Sequence, residues 1–592
     1  MKFKSIEIKN FRNYKKINLD LTNKNIIFGR NDFGKTNFLQ ALRFLFDPKV
    51  RNKGFEETDY YQRDTEKIIS ILIELELNED NDDTEFIRAH VGGAIEFSED
   101  GEFYIQLEAK YRIDKQLGVP ILKWGSSLEE LKEIPSSTIY SDLDSIFEVV
   151  YIHPNISPDE LFKKHRKLLY KDTDTSKSEE IRKALDELNN VISMDSRVTE
   201  LKNLLTKYYR DIRHEDIEIT LKSEHEINGV FNQLVPYILN SKDQDKYYPT
   251  SGDGRRKILA YALTNLIEEK KREEREAKRI PIFLIEEVEN SLHPSMQQMI
   301  SRNIFQVNKE LYKYLFITTH SDHMFMYMDE VNLVRIHKDL NDDYKSASKF
   351  YVVPDEFKKT RKTFNEVLSQ AFFYDKVLLV EGMSEKILFD AIYEKIAEGH
   401  IEVIGLLEKI LILSVEGIGF QKYVELLHEL GIEVFVKTDN DIKKANGENY
   451  VSLLGINRCK KLYNYYINVN NIESEKENIK ETEDYSKQRI KNDIKRRVYN
   501  RNKESIEIWE KFNIYLSEIE LEEDLSKVLN VNGLLSSNFI DEKDFIEFLQ
   551  EQKKINMNQF VNDYLDYEMA KVIYQSNEFK CLRDLLGFVV NE

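Results

Sequence analysis

Cysteine is nearly absent from this sequence, with only Cys459 and Cys581 among 592 residues. Two cysteines exclude a disulfide framework and a zinc site built from cysteines. No apolar run is long enough to predict a transmembrane helix. The segment that comes closest, residues 401–415, contains charged side chains. Charged residues also interrupt the first residues, so no signal peptide is predicted. We expect a soluble protein of the reducing cytoplasm with no membrane partner.

Proline, glycine and positive charge are scarce as well. The 10 Pro and 21 Gly favour long uninterrupted helices and strands. The 86 Lys and Arg against 106 Asp and Glu leave a net charge of −20. This acidity argues against a uniformly basic nucleic-acid-binding surface, but it leaves room for a local basic track. With 41% hydrophobic residues the chain is globular, and its length predicts about two to four domains.

Hydrophobic periodicity predicts an α/β protein with a boundary near residue 370. Period-two alternation predicts strands over residues 3–8, 17–21, 68–77 and 103–111, and apolar runs predict strands at 25–28, 281–285 and 314–318. A second alternation of strands and helices starts at Lys376, with strands ending near Val380, Val415 and Lys437.

An amphipathic, highly charged helical stretch separates these strand regions, over roughly residues 159–211. Apolar residues at spacings of four, three and four carry the pattern; they are Ile181, Leu185, Leu188 and Ile192. A core-packed helical hairpin and a dimerising insertion both fit, because the repeat is too short to decide between them.

A phosphate-binding loop is predicted at Gly29–Thr36, which matches G-x-x-x-x-G-K-[ST] between a strand and a helix. Its glycines let backbone N–H groups surround phosphate oxygens, Lys35 reaches the β and γ phosphates, and the Thr36 hydroxyl binds Mg²⁺. Two acids follow the strand at 281–285. Glu286 is suited to hold Mg²⁺ through water, and Glu287 to orient or deprotonate the attacking water.

These motifs resemble the ABC-type ATPase heads of RecF and SMC proteins. The resemblance extends to residues 8–13, 287–294 and 318–321. It implies that residues 248–256 form a signature loop closing over ATP bound by another subunit, and that His320 is a switch histidine sensing the γ-phosphate. The implied ATP contacts are Gly29, Asn31, Gly34, Lys35, Thr36, Asn37, Ser251, Gly252, Glu286, Glu287 and His320. Glu286 replaces the usual Asp, so ATP binding with Mg²⁺ is better supported than fast hydrolysis.

A second group of acids lies in the C-terminal half. Glu381 follows a buried strand, with Glu385 one helical turn later, and Asp439 and Asp441 follow another strand. Ligands collect where parallel strands end, and four carboxylates without a lysine between them repel one another unless divalent metal is bound. Hard oxygen ligands suit Mg²⁺ or Mn²⁺. Either pair of acids alone could be ordinary polar residues at the end of a strand, with no metal site.

Together, the two acid pairs resemble the Toprim fold. An ABC-type head followed by a Toprim unit resembles the OLD (overcoming lysogenization defect) family of nucleases, and within it the nuclease subunits of Gabija anti-phage systems. The resemblance implies two-metal phosphodiester hydrolysis with Glu381, Glu385, Asp439 and Asp441 as ligands. It adds an acid from residues 515–524, for which Glu520 is favoured over Glu518 and Asp524. It also adds a phosphate-stabilising lysine, Lys553 or its neighbour Lys554.

A basic segment offers a path for DNA. Residues 487–503 contain eight Lys and Arg against one acid, Asp493, and such a block is a candidate phosphate contact in an acidic chain. A merely solvated helix fits the same composition.

The expected architecture is an ABC-type (SMC/RecF-like) P-loop ATPase domain over residues 1–370, with a helical insertion at about 159–225. A Toprim nuclease domain with a helical C-terminal extension follows over 371–592.

The expected function is a metal-dependent DNA endonuclease of an anti-phage system, controlled by nucleotide. The resemblance implies as partners double-stranded DNA, further copies in a dimer or tetramer, and a UvrD-like helicase. A RecF-like DNA-binding repair scaffold with a non-catalytic Toprim domain is the alternative, and a tyrosine-dependent topoisomerase is a third.

Overall fold

The computed structural model describes the chain except residues 79–80, 93–94, 96–100, 138–139, 170–195, 224–233, 241–246, 249–251, 274–278, 339–342, 416–418, 445–449, 473–481, 485–490, 536–538, 540 and 591–592. Ser251 and the four apolar residues between Ile181 and Ile192 therefore lie outside the described residues. The described chain divides into two compact units, Met1–Ser369 and Gln370–Glu592. Among the helices described, none combines the length and the apolar character needed to cross a membrane.

Two six-stranded sheets form the first unit, together with small sheets of three and of two strands. Its strands are β1 (Lys2–Phe11), β2 (Tyr14–Asp20), β3 (Lys24–Phe28), β4 (Ile69–Glu76), β5 (Glu102–Arg112), β6 (Leu117–Gly125), β7 (Lys132–Glu133), β8 (Ser136–Ser137), β9 (Tyr140–Ser141), β10 (Phe147–Ile152), β11 (Ile217–Ser223), β12 (Leu234–Asn240), β13 (Tyr247–Tyr248), β14 (Ile280–Ile285), β15 (Leu315–Thr318), β16 (Val331–Lys338) and β17 (Tyr344–Tyr351). Its helices are α1 (Lys35–Phe46), α2 (Pro48–Arg51), α3 (Asp82–Val91), α4 (Leu143–Ile146), α5 (Pro158–Leu169), α6 (Ser196–Arg213), α7 (Asp253–Glu273), α8 (Pro294–Arg302) and α9 (Arg361–Ala371).

An antiparallel sheet in the order β2-β1-β4-β5-β6-β7 forms one layer. In β4 the residues alternate strictly between buried and half-buried, as the period of two predicts. Its apolar face, with Ile71 and Ile73 fully buried, packs in one core with α1 residues such as Phe38 and Leu42. The sheet thereby supports the helix that follows the P-loop.

The second layer is a mainly parallel sheet in the order β10-β14-β15-β3-β16-β17. Strands β10, β14, β15, β3 and β16 run parallel, and β17 pairs antiparallel with β16. Carboxyl ends of parallel strands lie at one edge, so the segments after β3, β14 and β15 meet there. These segments carry the P-loop, Glu286 with Glu287, and His320.

The predicted helical insertion is only partly helical. Helices α5 and α6 lie on either side of the undescribed residues 170–195. The prediction is wrong at its C-terminal end, because residues 217–223 form strand β11, paired with β12. Ile217 and Ile219 are buried two positions apart, which is the period of a strand rather than a helix.

The second unit contains β18 (Lys376–Val380), β19 (Ile410–Ser414), β20 (Glu433–Thr438), β21 (Ile442–Lys444), β22 (Tyr450–Leu453), β23 (Thr482–Asp484) and β24 (Ile514–Leu516). Its helices are α10 (Met383–Gly399), α11 (Ile401–Leu407), α12 (Phe420–Glu429), α13 (Leu454–Asn470), α14 (Lys491–Arg501), α15 (Lys503–Glu510), α16 (Leu521–Val531), α17 (Glu542–Glu551), α18 (Lys553–Asp563), α19 (Tyr567–Gln575) and α20 (Lys580–Leu586). A parallel sheet in the order β19-β18-β20-β24 brings the ends of β18, β20 and β24 to one edge. The C-terminal helices share a core with α10, which includes Leu388, Leu525 and Phe560.

Candidate functional site

The P-loop lies between β3 and α1, and glycine backbone conformations shape it. Gly29 has a φ of 147° and Gly34 a φ of 90°. A Cβ at Gly29 would lie 2.3 Å from the carbonyl oxygen of Ile336, so no larger residue fits there. Lys35 is buried, and its Nζ donates hydrogen bonds to the carbonyl oxygens of Gly29 at 2.9 Å and Arg30 at 2.7 Å. Burial lowers the pKa of Lys35 to about 8 although acids lie nearby.

A cavity of about 720 Å³ opens over this loop. Its lining consists of Asn13, Asn31, Asp32, Gly34, Lys35, Thr36, Asn37, Glu287, Glu289, Asn290 and His320. Most predicted nucleotide contacts of the described chain are thus gathered around one cavity of ligand size. Gly29, Glu286 and Gly252 are not among the lining residues.

Glu286 is buried at the end of β14, where a tyrosine holds its carboxylate. The hydroxyl of Tyr151, on the neighbouring strand β10, donates a hydrogen bond to Glu286 Oε2. The guanidinium of Arg43 lies over the Tyr151 ring, 3.8 Å from its centre. Burial, together with the carboxylate, raises the pKa of Tyr151 above its usual value, so the hydroxyl keeps its proton. Tyr151 belongs to no motif, so this contact could not be predicted from the sequence.

Glu287 and His320 face the cavity from the ends of adjacent strands. Glu287 has a φ of 43°, in the left-handed region that side chains rarely adopt. His320 Nε2 lies 3.9 Å from Glu287 Oε1, and burial lowers the pKa of His320 to about 4. The imidazole is therefore neutral at neutral pH, and the pair is not an ion pair. Glu289 accepts hydrogen bonds from Thr319 Oγ1 at 2.8 Å and from the backbone N–H of His320, which fixes the histidine.

The helix after the predicted signature loop contacts the loop that carries Glu287. Lys257, buried in α7, donates from Nζ to the carbonyl oxygens of Glu287 at 3.1 Å and Asn290 at 2.9 Å. Gly252 is exposed just before α7, whereas Ser251 lies outside the described residues. Lys257 was not predicted, because only the fold brings α7 beside this loop.

In the second unit, Glu381 follows β18 directly and Asp439 follows β20. Glu381 Oε1 accepts hydrogen bonds from Thr438 Oγ1 at 2.5 Å and from the backbone N–H of Asp439 at 3.0 Å. The two strand ends are therefore joined through this one carboxylate oxygen. Their adjacency follows from the parallel pairing of β18 with β20.

The sequence predicts these acids to have no lysine between them, and the structure places an arginine there. Arg458, from α13, donates through Nη1 to Glu381 Oε1 and through Nη2 to Asp441 Oδ2 at 2.5 Å. Nη1 also lies 2.6 Å from Thr438 Oγ1. Arg458 lies beyond both strand-end motifs, in the later helix α13, so neither motif indicates it.

Glu385 and Asp439 are the acids that burial perturbs most in this group. Burial, reinforced by the charges of Glu381 and Glu522, raises the pKa of Glu385 to about 7. Burial and the charges of Glu385, Glu381, Glu522 and Glu520 raise the pKa of Asp439 well above its usual value. Both side chains therefore favour a proton or a cation over isolated negative charge.

Three acids at the start of α16 complete the cluster: Glu520, Glu522 and Glu523 offer carboxylate oxygens within 4.8 Å of one another. Glu520 Oε1 lies 2.5 Å from Nζ of the buried Lys495. The Glu522 side chain is 2% exposed, and within the described part of the chain its Oε2 has no hydrogen-bond partner. Glu522 was missed by the sequence analysis, because no motif distinguishes it among the acids of this segment.

The other two acids considered from the sequence have partners of their own. Glu518 pairs with Lys527 at 2.7 Å, and the buried Asp524 lies 3.6 Å from Lys437. Lys553, the first residue of α18, reaches Glu522 Oε1 with its Nζ at 3.2 Å. Lys553 therefore stands beside the acid cluster, and Lys554 is exposed next to it.

The basic segment is partly engaged within the unit. Lys495 pairs with Glu520, and Arg497 and Arg501 pair with Glu483 at 2.7 Å and 2.5 Å. Two of its basic residues, Lys487 and Arg489, lie outside the described residues. The exposed basic side chains in the described part of the segment include Lys491, Arg496 and Lys503. The predicted track is therefore narrower than the sequence indicated.

Comparison with known proteins agrees with an ATPase unit followed by a Toprim unit. Residues 1–325 match the family model "AAA ATPase domain", and residues 372–441 match "Overcoming lysogenization defect protein-like, TOPRIM domain". The chain is 38% identical to Endonuclease GajA of Bacillus cereus (strain VD045), over 99% of both chains. It is 24% identical to Endonuclease GajA of Bacillus cereus (strain HuB5-5), over 40% of this chain and 37% of that one. It is 20% identical to the Old nuclease of Escherichia phage P2, over 74% of this chain and 77% of that one.

Proposed function

Since this chain belongs to the GajA endonucleases of the OLD family, we propose that it cuts double-stranded DNA under the control of nucleotide bound to its ATPase unit. The observation that carries the proposal is the carboxylate cluster at the ends of β18 and β20 and the start of α16. The acids of this cluster are buried or half-buried and repel one another, and bound cations remove the repulsion.

The donor set of this cluster suits two divalent cations. All the candidate ligands are carboxylates, which Mg²⁺ and Mn²⁺ prefer, and the unpartnered Oε2 of Glu522 is a buried oxygen that a cation would satisfy. The residues proposed to hold the ions are Glu381, Glu385, Asp439, Asp441, Glu520 and, in addition, Glu522. Such ions, when bound, supply an activated water and neutralise charge at the phosphate.

Lys553 is proposed to act on the scissile phosphate. Its side chain is 54% exposed, so the ammonium is accessible to DNA while it contacts Glu522. A lysine ammonium at this position stabilises the negative charge that develops on the phosphate oxygens. The exposed Lys491 and Arg496 of α14, and Lys503 at the start of α15, are proposed to contact the DNA backbone near the acids, since Lys495 of α14 is bonded to Glu520.

The ATPase unit is proposed to bind ATP with Mg²⁺ in the cavity over the P-loop. Lys35 would exchange its loop carbonyl partners for phosphate oxygens, and Thr36 and Glu286 would hold the metal. Neutral His320, fixed through Glu289, is suited to donate a hydrogen bond to the γ-phosphate. The exposed Gly252 is accessible to a second copy, so we propose a homo-oligomer in which Ser251 and Gly252 complete the site of another subunit.

The biological role proposed is anti-phage defence with a UvrD-like helicase partner, as in Gabija systems. This role is supported by membership of the GajA family rather than by any contact in the chain.

The decisive experiment is cleavage of plasmid and linear DNA by the purified chain with Mg²⁺ or Mn²⁺, with and without ATP. We expect cutting by the unchanged chain, and loss of cutting in Glu381→Gln, which keeps the size of the ligand but removes its charge. Glu402→Gln, at an exposed acid in α11, is the matched control.

Equal cutting by Glu381→Gln and the unchanged chain would refute the nuclease site. DNA binding without cutting under every metal and nucleotide condition would instead favour the repair-scaffold function. A covalent protein–DNA product would favour a topoisomerase.

A further inference from the structure

Arg458 contacts two carboxylates of the acid cluster at once. Nη1 of its planar guanidinium donates to Glu381 Oε1, and Nη2 donates to Asp441 Oδ2 at 2.5 Å. These two carboxylates follow different strands, so a single side chain connects both strand ends. An arginine can make this double contact because its donors are held in one plane, which a lysine ammonium cannot reproduce.

The helix that carries Arg458 is fixed against the same loop. The N–H of Gly455, in the first turn of α13, donates to the carbonyl oxygen of Asp441 at 3.1 Å. A Cβ at Gly455 would lie 2.4 Å from the carbonyl oxygen of Asp439, which is closer than backbone and side chain can approach. The helix therefore begins in direct contact with the loop, and Arg458, one turn later, is aimed at the acids from a rigid support.

The contacts divide the oxygens of each carboxylate between two roles. Glu381 Oε1 accepts from Thr438, from Asp439 N–H and from Arg458, so its hydrogen-bonding capacity is used by the protein. Among the described residues none donates to Glu381 Oε2, so this oxygen is open to another partner. The oxygens of Asp441 are divided in the same way: Oδ2 accepts from Arg458, and Oδ1 has no donor within the part of the chain that the structure describes. An outer donor that holds one oxygen orients the other, as partners of metal ligands do in many sites.

We propose that Arg458 is a positioning residue for the metal centre, which orients Glu381 and Asp441 so that their remaining oxygens face a divalent cation. The inference rests on the proposed metal-dependent function. It adds a group that touches neither metal nor substrate but determines how tightly metal is held. The positive charge also offsets part of the repulsion among the acids.

The test is Mn²⁺ binding to the full chain without DNA. Calorimetry measures the affinity, and the electron paramagnetic resonance signal of the bound ion reports its environment. Arg458→Gln removes the charge and the fork, and Arg458→Lys restores the charge alone. We expect about 10- to 100-fold weaker Mn²⁺ binding for Arg458→Gln, and only partial recovery for Arg458→Lys. Arg361→Gln, which breaks a comparably exposed pair with Asp329 in the other unit, is the control and should bind like the unchanged chain.

Gly455→Ala provides a second variant that keeps the arginine but displaces its helix, and it should also weaken Mn²⁺ binding. If Arg458→Gln binds Mn²⁺ as tightly as the unchanged chain or more tightly, the inference about Arg458 is overturned but the metal-dependent function is not. Tighter binding would mean that the guanidinium competes with the cation. Absence of Mn²⁺ binding by the unchanged chain would overturn the metal-dependent function and the inference with it.

Discussion

Metal binding by the nuclease unit should depend on pH through Glu385. The carboxyl is buried in α10 and faces Glu381, Glu522 and Lys553, and its pKa is raised from 4.5 to about 7. That difference corresponds to about 3 kcal/mol of unfavourable free energy for the ionised form. Because the folded chain holds this proton more tightly than the unfolded chain, the group's contribution to stability is lost as pH rises from about 4.5 to about 7.

A cation that uses Glu385 must displace this proton. For one linked proton, Mn²⁺ affinity should fall about 25-fold between pH 7.5 and pH 5.5, which is about 2 kcal/mol. Asp439, whose pKa is also raised by burial, adds to the loss in the same direction. Glu385→Gln removes one linked proton, so the variant binds more weakly overall but loses less affinity over the same range.

The measurement is calorimetric titration of Mn²⁺ into the full chain at several pH values. Glu402→Gln, an exposed acid in the same unit, should follow the pH dependence of the unchanged chain. The reasoning is refuted if Glu385→Gln and the unchanged chain lose affinity by the same factor between pH 7.5 and pH 5.5, because the proton displaced would then belong to another group.

Three further outcomes follow from the two sites. Lys35→Ala should weaken ATP binding by roughly 100-fold, because the charge-assisted hydrogen bonds that it removes contribute about 2–3 kcal/mol. Titration with a fluorescent ATP analogue measures this loss. Tyr151→Phe leaves Glu286 without its hydroxyl donor and should cost about 1–3 kcal/mol of unfolding free energy in the ATPase unit, visible in chemical denaturation. Glu522→Gln should weaken Mn²⁺ binding about tenfold, whereas Glu518→Gln, which only loses its pair with Lys527, should not; equal effects would remove Glu522 from the cluster.

The fold class and the family could be predicted from the sequence because the patterns that indicate them are local. Fixed spacings define the P-loop around Lys35, and strand alternation is visible wherever one face of a sheet is buried, as in β4. The family models confirm an ATPase unit and a Toprim unit in the order predicted. The helical prediction was wrong over residues 217–223, where a short run of alternating residues was absorbed into a longer helical pattern.

The sequence by itself determined which strand ends carry acids, since an acid directly after a buried strand lies at the ligand-binding edge of a parallel sheet. The tertiary structure alone decided which groups meet those acids. Arg458 and Glu522 lie 77 and 141 positions beyond Glu381, a separation that leaves no pattern in the sequence. Helix packing brings them to the same edge, where such neighbours determine the charge and the orientation of the carboxylates.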